Sequence, residues 1–180
     1  MDLTYGPHYE AFRSQVRAFL DEHRQSAPRA SVGLTEGAMA ARQWQKVLVE
    51  HGYAGRTVPK EYGGFGAAPD LLENIIIDEE FRRAGVFRGM ANQGISMFVP
   101  TLLQYGTEEQ KQAYIGPTIR GELIWCQGYS EPGSGSDLAS LKTSAVLDGD
   151  EFVVNGQKIW TSTAKEAAMM FALVRTEPDA

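Results

Sequence analysis

The sequence predicts an α+β fold, an all-α helical bundle followed by an antiparallel β-barrel-like domain. Three observations carry this. Over residues 5–120 apolar side chains recur at three- and four-residue intervals, the spacing of helices with a buried face. From about Leu123 onward the pattern becomes one of short strands between tight turns. Within that part, the apolar runs 144–147 and 151–154 flank Asp148-Gly149-Asp150, a strong hairpin signal. A helical domain is therefore expected over 1–122 and a β domain over 123–180.

Tyr9, Phe12, Val16, Phe19 and Leu20 form one stripe on a first helix that runs to about Ser26, with Pro28 helping to end it. A second helix is expected over 36–51, burying Met39, Trp44, Val47 and Leu48, with Gly52 as its C-terminal cap. The glycine-rich run 58–66 reads as a rigid loop, its glycines serving unusual backbone angles or close approach. A third helix starts at Pro69-Asp70, Pro69 in its first turn, and ends at Arg82 or Arg83. Leu71, Leu72, Ile75 and Ile76 make it apolar over more than one face, which predicts a central place in the bundle. Glu79-Glu80 on that helix needs a partner if buried, and Arg82, Arg83 and Arg88 are the candidates for a structural ion pair.

The region 91–105 is again strongly apolar, and Pro100 must kink it or mark a first turn. Thr107-Glu108-Glu109-Gln110 is a capping box that starts a short helix to about Arg120. Strands are then expected at 123–129, 144–147, 151–154, 157–160 and 168–174, with Asn155-Gly156 as a second tight turn. At least five antiparallel strands follow from this. The stretch after Glu122 is short for a sheet that must close its edges, so the chain is expected to be a piece of something longer.

Composition narrows the function. The 180 residues are 43% hydrophobic and 22% charged, a soluble globular balance. With 23 acidic and 17 basic residues the net charge is -6, the wrong sign for a domain built to grip nucleic acid. One cysteine, Cys126, excludes an internal disulfide and a cysteine metal cluster. His8, His23 and His51 lack metal-ligand spacing. No apolar run reaches the roughly 18 residues of a membrane span, and Met1–Thr4 does not open a signal peptide. The expected compartment is the cytoplasm.

Two segments carry candidate chemistry. Tyr129-Ser130-Glu131-Pro132-Gly133-Ser134-Gly135-Ser136-Asp137 follows a strand and alternates glycines with hydroxyls, so it can offer amides and short donors to a ligand at low steric cost. It is neither a P-loop nor a dinucleotide fingerprint, and Gly-x-Ser-x-Gly is not matched. A plain polar surface loop is the alternative. Trp160-Thr161-Ser162-Thr163 places a large ring beside three hydroxyls, which suits the edge of an aromatic cofactor. The alternative is a core tryptophan beside a turn.

Taken together, residues 125–138 and 154–162 resemble the flavin-contacting segments of the acyl-CoA dehydrogenases. Pro59-Lys60-Glu61-Tyr62-Gly63-Gly64, Tyr105-Gly106-Thr107-Glu108-Glu109-Gln110-Lys111 and Gly121-Glu122 extend the resemblance in the same order along essentially the whole chain. The resemblance implies a helical N-terminal domain, the opening part of a middle β-barrel-like domain, and a C-terminal helical domain absent from this chain. It implies FAD as cofactor and α,β-dehydrogenation of an acyl-CoA thioester, with electrons passed to an electron-transfer flavoprotein. Gln127, Tyr129 and Ser130 would lie along the flavin, Trp160 would shield one edge, Ser162 would sit near N5, and Ser136 would face the acyl-CoA arm. Helical residues 71–81 and 95–103 would both pack the core and line the acyl pocket. A homotetramer or a mixed αβ tetramer is implied.

The chain departs from the common family loop. Ser130 and Ser162 stand where Thr is frequent, and Ser134 where Ala is. Trp125-Cys126-Gln127-Gly128-Tyr129-Ser130 is similar to the actinobacterial branch acting on bulky, including steroid-derived, acyl groups. The family's catalytic base is a C-terminal Glu to which no residue here corresponds, and Glu131 is expected to be structural. A related flavin oxidase or monooxygenase, and a non-catalytic subunit of a mixed assembly, are the competing readings.

Overall fold

The computed structural model describes residues 5–28 and 36–177; Met1–Thr4, read above for a leader, and the end of the chain at 178–180 lie outside them. The described residues form two compact units, one comprising residues up to 91 together with 106–122, the other 92–105 together with 123 onward. The apolar helical stretch 92–105 thus belongs with the β segment.

In the first unit, α1 (Pro7–His23), α2 (Glu36–Glu50), α3 (Leu71–Ala84) and α5 (Glu108–Ile119) supply the helices. The expected stripe of α1 is buried through Phe12, Val16, Phe19 and Leu20. It meets Trp44 and Leu48 of α2, Tyr53, and Ile76, Ile77 and Phe81 of α3 in one core. Phe19 is its aromatic centre, with ring centroids 5.9 Å from Trp44, 4.4 Å from Tyr53 and 6.3 Å from Phe81. Val47 packs at the margin of this core, whereas Met39, expected inside, is 67% exposed. Met39 lies more than a turn before Trp44, where α2 has not yet reached the core.

Helix α3 differs from expectation in two ways. Asp70 is its N-cap, taking the amides of Leu72 and Glu73, so Pro69 precedes the helix instead of occupying its first turn. The helix also buries one face only: Leu71 is 75% exposed and Ile75 is at the exposed end of the range. Glu80 is buried and paired as expected in kind, but its main partners come from α1. Arg13 Nη1 donates to Oε1 at 2.6 Å and Arg17 Nε to Oε2 at 2.8 Å, with Arg83 at 3.6 Å. Glu79 also takes Arg13, while Arg88 pairs with Asp78. Arg83, one turn along α3, comes only to 3.6 Å, whereas α1 lies across from Glu80 and brings two guanidinium groups within hydrogen-bond distance.

Buried Gln45 uses both ends of its amide, Nε2 donating to the Ile119 carbonyl at 2.7 Å and Oε1 accepting from the Met90 amide at 2.8 Å. One side chain thereby ties α2 to the end of α5 and to the segment after α3. The loop over 58–66 is as tight as its glycines require. A Cβ on Gly64 would lie 2.2 Å from the Val58 carbonyl oxygen. The capping box is complete: Gln110 N donates to Thr107 Oγ1 at 3.3 Å and Thr107 N to Gln110 Oε1 at 3.0 Å.

In the second unit a π turn over Gly94–Phe98 runs without a break into α4 (Val99–Tyr105), so Pro100, which has no backbone N–H to donate, follows directly on an irregular turn. The strands are β1 (Trp125–Gly128), β2 (Ser144–Asp148), β3 (Glu151–Asn155) and β4 (Met169–Ala172). Strands β2 and β3 form the expected antiparallel hairpin, Asp148 facing Glu151 across the turn. Strands β1 and β4, however, pair in parallel, Trp125 beside Met169 and Gly128 beside Ala172. The described residues therefore hold two two-stranded sheets, not five antiparallel strands, and no closed barrel. Alternation along a strand reveals its faces but not the direction of its neighbour. Phe98 stacks on Trp125 at 3.7 Å, fixing the π turn against β1.

Residues 157–160 do not form a strand. Trp160 has φ 56, a left-handed conformation that interrupts extended pairing. The stretch makes one backbone bond to the other loop, described next.

Candidate functional site

The two polar segments singled out in the sequence lie side by side. The Ile159 amide donates to the Ser130 carbonyl at 2.9 Å. Farther along, Thr163 Oγ1 lies 3.3 Å from Gln93 Oε1 and 3.5 Å from the Trp125 carbonyl oxygen, so the second segment remains next to β1. The start of β4 follows, Ala168 N donating to the Ile124 carbonyl at 3.0 Å. Parallel pairing of β1 with β4 is what brings the intervening chain back along this edge.

Gln127 lies in β1, half-buried, opposite Phe171. Tyr129 follows the strand and sets its ring edge-on to Phe171 at 5.6 Å. Ser130 is half-buried beside Ile159. Trp160 is 85% exposed and lies outside the core of the described residues. Ser162 is exposed, its amide turned back to the Trp160 carbonyl at 2.9 Å. Ser136 is also exposed, beyond a small closed turn in which Glu131 and Ser134 exchange backbone hydrogen bonds of 2.7 and 3.1 Å. Ser134 is buried and donates its hydroxyl to the Asp137 carbonyl at 3.0 Å, which fixes the turn from inside. Ser130 and the Trp160–Ser162 segment are thus brought together; Ser136 stands apart from that junction.

Glu131 is an anchor. Its Oε1 takes the Thr143 amide at 2.9 Å and Lys158 Nζ at 2.8 Å; its Oε2 takes the Lys142 amide at 2.7 Å. The Lys158 ammonium, followed by the Thr143 and Lys142 contacts, holds the carboxyl far below the usual carboxylate range. A group so fully occupied does not take protons near neutral pH, in keeping with its reading as structural. Lys158 itself was not singled out in the sequence. Its signal is visible in retrospect: a cation two residues before Trp160 in a stretch with no other charge from Asn155 to Ala164.

Residues matching the acyl-CoA dehydrogenase N-terminal domain model run over 6–122, and those matching the acyl-CoA dehydrogenase middle domain model over 126–180. The chain belongs to the acyl-CoA dehydrogenase family. Acyl-CoA dehydrogenase IpdE1 of Mycobacterium tuberculosis is 39% identical over 175 residues, covering 93% of this chain and 45% of that protein. Among solved structures, the Tcur3481-Tcur3483 steroid ACAD aligns with 100% of this chain and 46% of its own, at 38% identity and a TM-score of 0.70. The ChsE4-ChsE5 complex from Mycobacterium tuberculosis aligns with 99% of this chain and 45% of its own, at 34% identity and a TM-score of 0.72. The chain spans about half the length of the relatives it matches. No helix among the described residues is long and apolar enough to cross a membrane.

The residues at the junction suit the flavin of an acyl-CoA dehydrogenase. A flat conjugated ring needs an apolar surface to lie against and donors for its heteroatoms. An indole left 85% exposed would supply the first, and the hydroxyls of Ser130 and Ser162 on the two adjoining segments could supply the second.

Proposed function

We propose that this chain is the flavin-facing part of an enzyme that dehydrogenates an acyl-CoA thioester to the trans-2-enoyl-CoA, with FAD as cofactor and an electron-transfer flavoprotein as electron acceptor. The observation that carries the reading is the 2.9 Å bond between Ile159 and Ser130, because it joins the two segments whose sequences resemble the family's flavin contacts. The bound flavin supplies the hydride acceptor. Gln127, Tyr129 and Ser130 would line it, and the Ser130 hydroxyl or amide would be a fixed donor that stabilises negative charge developing on the ring. Trp160 would cover one edge of the flavin and exclude water, Ser162 would help to orient the ring, and Ser136 would contact the acyl-CoA arm. The base that takes the α-proton lies outside this chain, as in the family pattern. We place the reaction in the cytoplasm.

The relatives point to a bulky, steroid-derived acyl group. The Tcur3481-Tcur3483 structure is described as a steroid ACAD. A screen of CoA thioesters of graded bulk, with anaerobic bleaching of the flavin as the readout, tests this. Bleaching is expected, fastest with polycyclic acyl groups. Bleaching by short straight chains alone contradicts the substrate class, and none with any thioester contradicts the activity.

A second reading rests on the two-protein names of both matched structures. In it this chain belongs to one subunit of a mixed αβ tetramer, and that subunit contributes the fold without the base. Size measurement of the full-length protein alone and with a candidate partner separates this from a homotetramer.

A further inference from the structure

We infer that Lys158, through its buried pair with Glu131, is the positioning residue that locks the two flavin segments in register; the inference rests on the flavin reading above. The contacts interleave along both chains. Lys158 Nζ donates to the Tyr129 carbonyl at 3.0 Å and to Glu131 Oε1 at 2.8 Å, while the next residue, Ile159, donates its amide to the Ser130 carbonyl at 2.9 Å. Three consecutive residues of the first segment are thus held by two consecutive residues of the second. Trp160 follows directly. Any slip between the segments would have to break all three bonds and would move the indole relative to the Ser130 hydroxyl.

The chemistry argues for register over simple adhesion. The Lys158 and Glu131 side chains are only 9% and 8% exposed. Burying two charges is costly, and apolar replacements of similar volume often stabilise a fold at least as well. What an ion pair adds is direction. The ammonium must face two acceptors at once, and the carboxylate must face Lys142 N, Thr143 N and Lys158 Nζ together. Only one alignment of the segments satisfies all of them. Lys158 touches the backbone of the flavin loop, so its effect on the ring passes through Ser130 and Trp160.

The test uses the full-length flavoprotein and three variants: Lys158→Met, the charge-balanced pair Lys158→Met with Glu131→Gln, and Lys158→Arg. Four quantities are read for each: the FAD dissociation constant, the shape of the flavin band near ~450 nm, the flavin midpoint potential, and the melting temperature of the apoprotein. The balanced pair is expected to lower the apoprotein melting temperature, since a carboxamide can accept only one of the Lys142 and Thr143 amides, and to bind FAD about tenfold or more weakly, beyond what that shift accounts for, with an altered band and potential. Lys158→Arg, which keeps the charge, is expected to recover part of the affinity. Parental affinity, band and potential in the balanced pair would overturn the inference. So would affinity losses that follow apoprotein melting temperature across all three variants, since that marks a role in stability alone. A parent protein that takes up no FAD at all refutes the flavin reading itself, a result distinct from either of these.

Discussion

The Ile159 amide and the Ser130 carbonyl share a 2.9 Å hydrogen bond that joins two stretches of chain separated by the whole β2–β3 hairpin. The indole of Trp160 projects into solvent one residue later, from a backbone with φ 56. A bulky residue adopts that conformation only where its surroundings impose it. Trp160→Ala is therefore expected to leave apoprotein stability within about 0.5 kcal/mol of the parent while sharply lowering FAD retention per subunit. Trp160→Gly, which suits the left-handed backbone, is expected to stabilise the apoprotein by up to about 1 kcal/mol and still to lose flavin. Thermal unfolding and flavin content check both; equal loss of fold and flavin in Trp160→Ala contradicts the assignment.

Glu80 gives the helical unit a defined acid response. The hydrogen bond from Arg17, with a further one from Arg13, outweighs burial and brings its carboxyl down from 4.5 to about 2. Because the folded value lies below the unfolded one, the stabilisation is present above about 4.5 and is lost as pH falls toward 2. Glu80→Gln is expected to destabilise the protein at neutral pH. It is also expected to flatten the stability–pH slope in that window, by at most about 1.4 kcal/mol per pH unit. Glu122, also brought to about 2 by Arg120 and Lys46, keeps its share of the slope. Urea unfolding at several pH values measures the difference, and an unchanged slope contradicts it.

Gly64 leaves no room for a side chain, since a Cβ there would sit 2.2 Å from a backbone oxygen and 2.4 Å from Val58 Cβ. Gly64→Ala is expected to cost about 2 kcal/mol or more. A midpoint unchanged in denaturant would show that the 58–66 loop is looser than described.

Thr107→Ala removes the hydroxyl that caps α5 and is expected to cost about 1 kcal/mol in unfolding free energy. Thr107→Ser, which retains the oxygen, is expected to stay close to the parent. Parallel melts of the two variants provide the check.

The local signals in the sequence were legible because they depend on neighbours in the chain. The stripe of α1, the Thr107 capping box and the hairpin around Gly149 each rest on residues a few positions apart. The two polar segments around Ser130 and Trp160 stand out in the sequence for the same reason, and the structure sets them side by side. What escaped were relationships across the chain. The parallel pairing of β1 with β4 joins residues more than forty positions apart, and no alternation encodes it. Of the nearby arginines only Arg83 reaches Glu80, at 3.6 Å, and its two closest partners, Arg13 and Arg17, lie on α1. Lys158 has its partners, Tyr129 and Glu131, almost thirty residues away, where no local pattern points to it. The strand expected over 157–160 is broken by the left-handed backbone of Trp160, a conformation that no local pattern around it encodes.

The central claim, that the Ser130 and Trp160 segments together face a flavin, is tested most directly by tryptophan accessibility in the full-length protein. Within this chain Trp44 and Trp125 are 1% and 4% exposed, whereas Trp160 is 85% exposed. Iodide quenching that disappears in a Trp160→Phe variant therefore reports on Trp160 alone. Titration with FAD is expected to turn the protein yellow and to shield that quenchable emission in step with flavin uptake. A protein that stays colourless, or one that binds FAD while Trp160 remains open to iodide, would contradict the account.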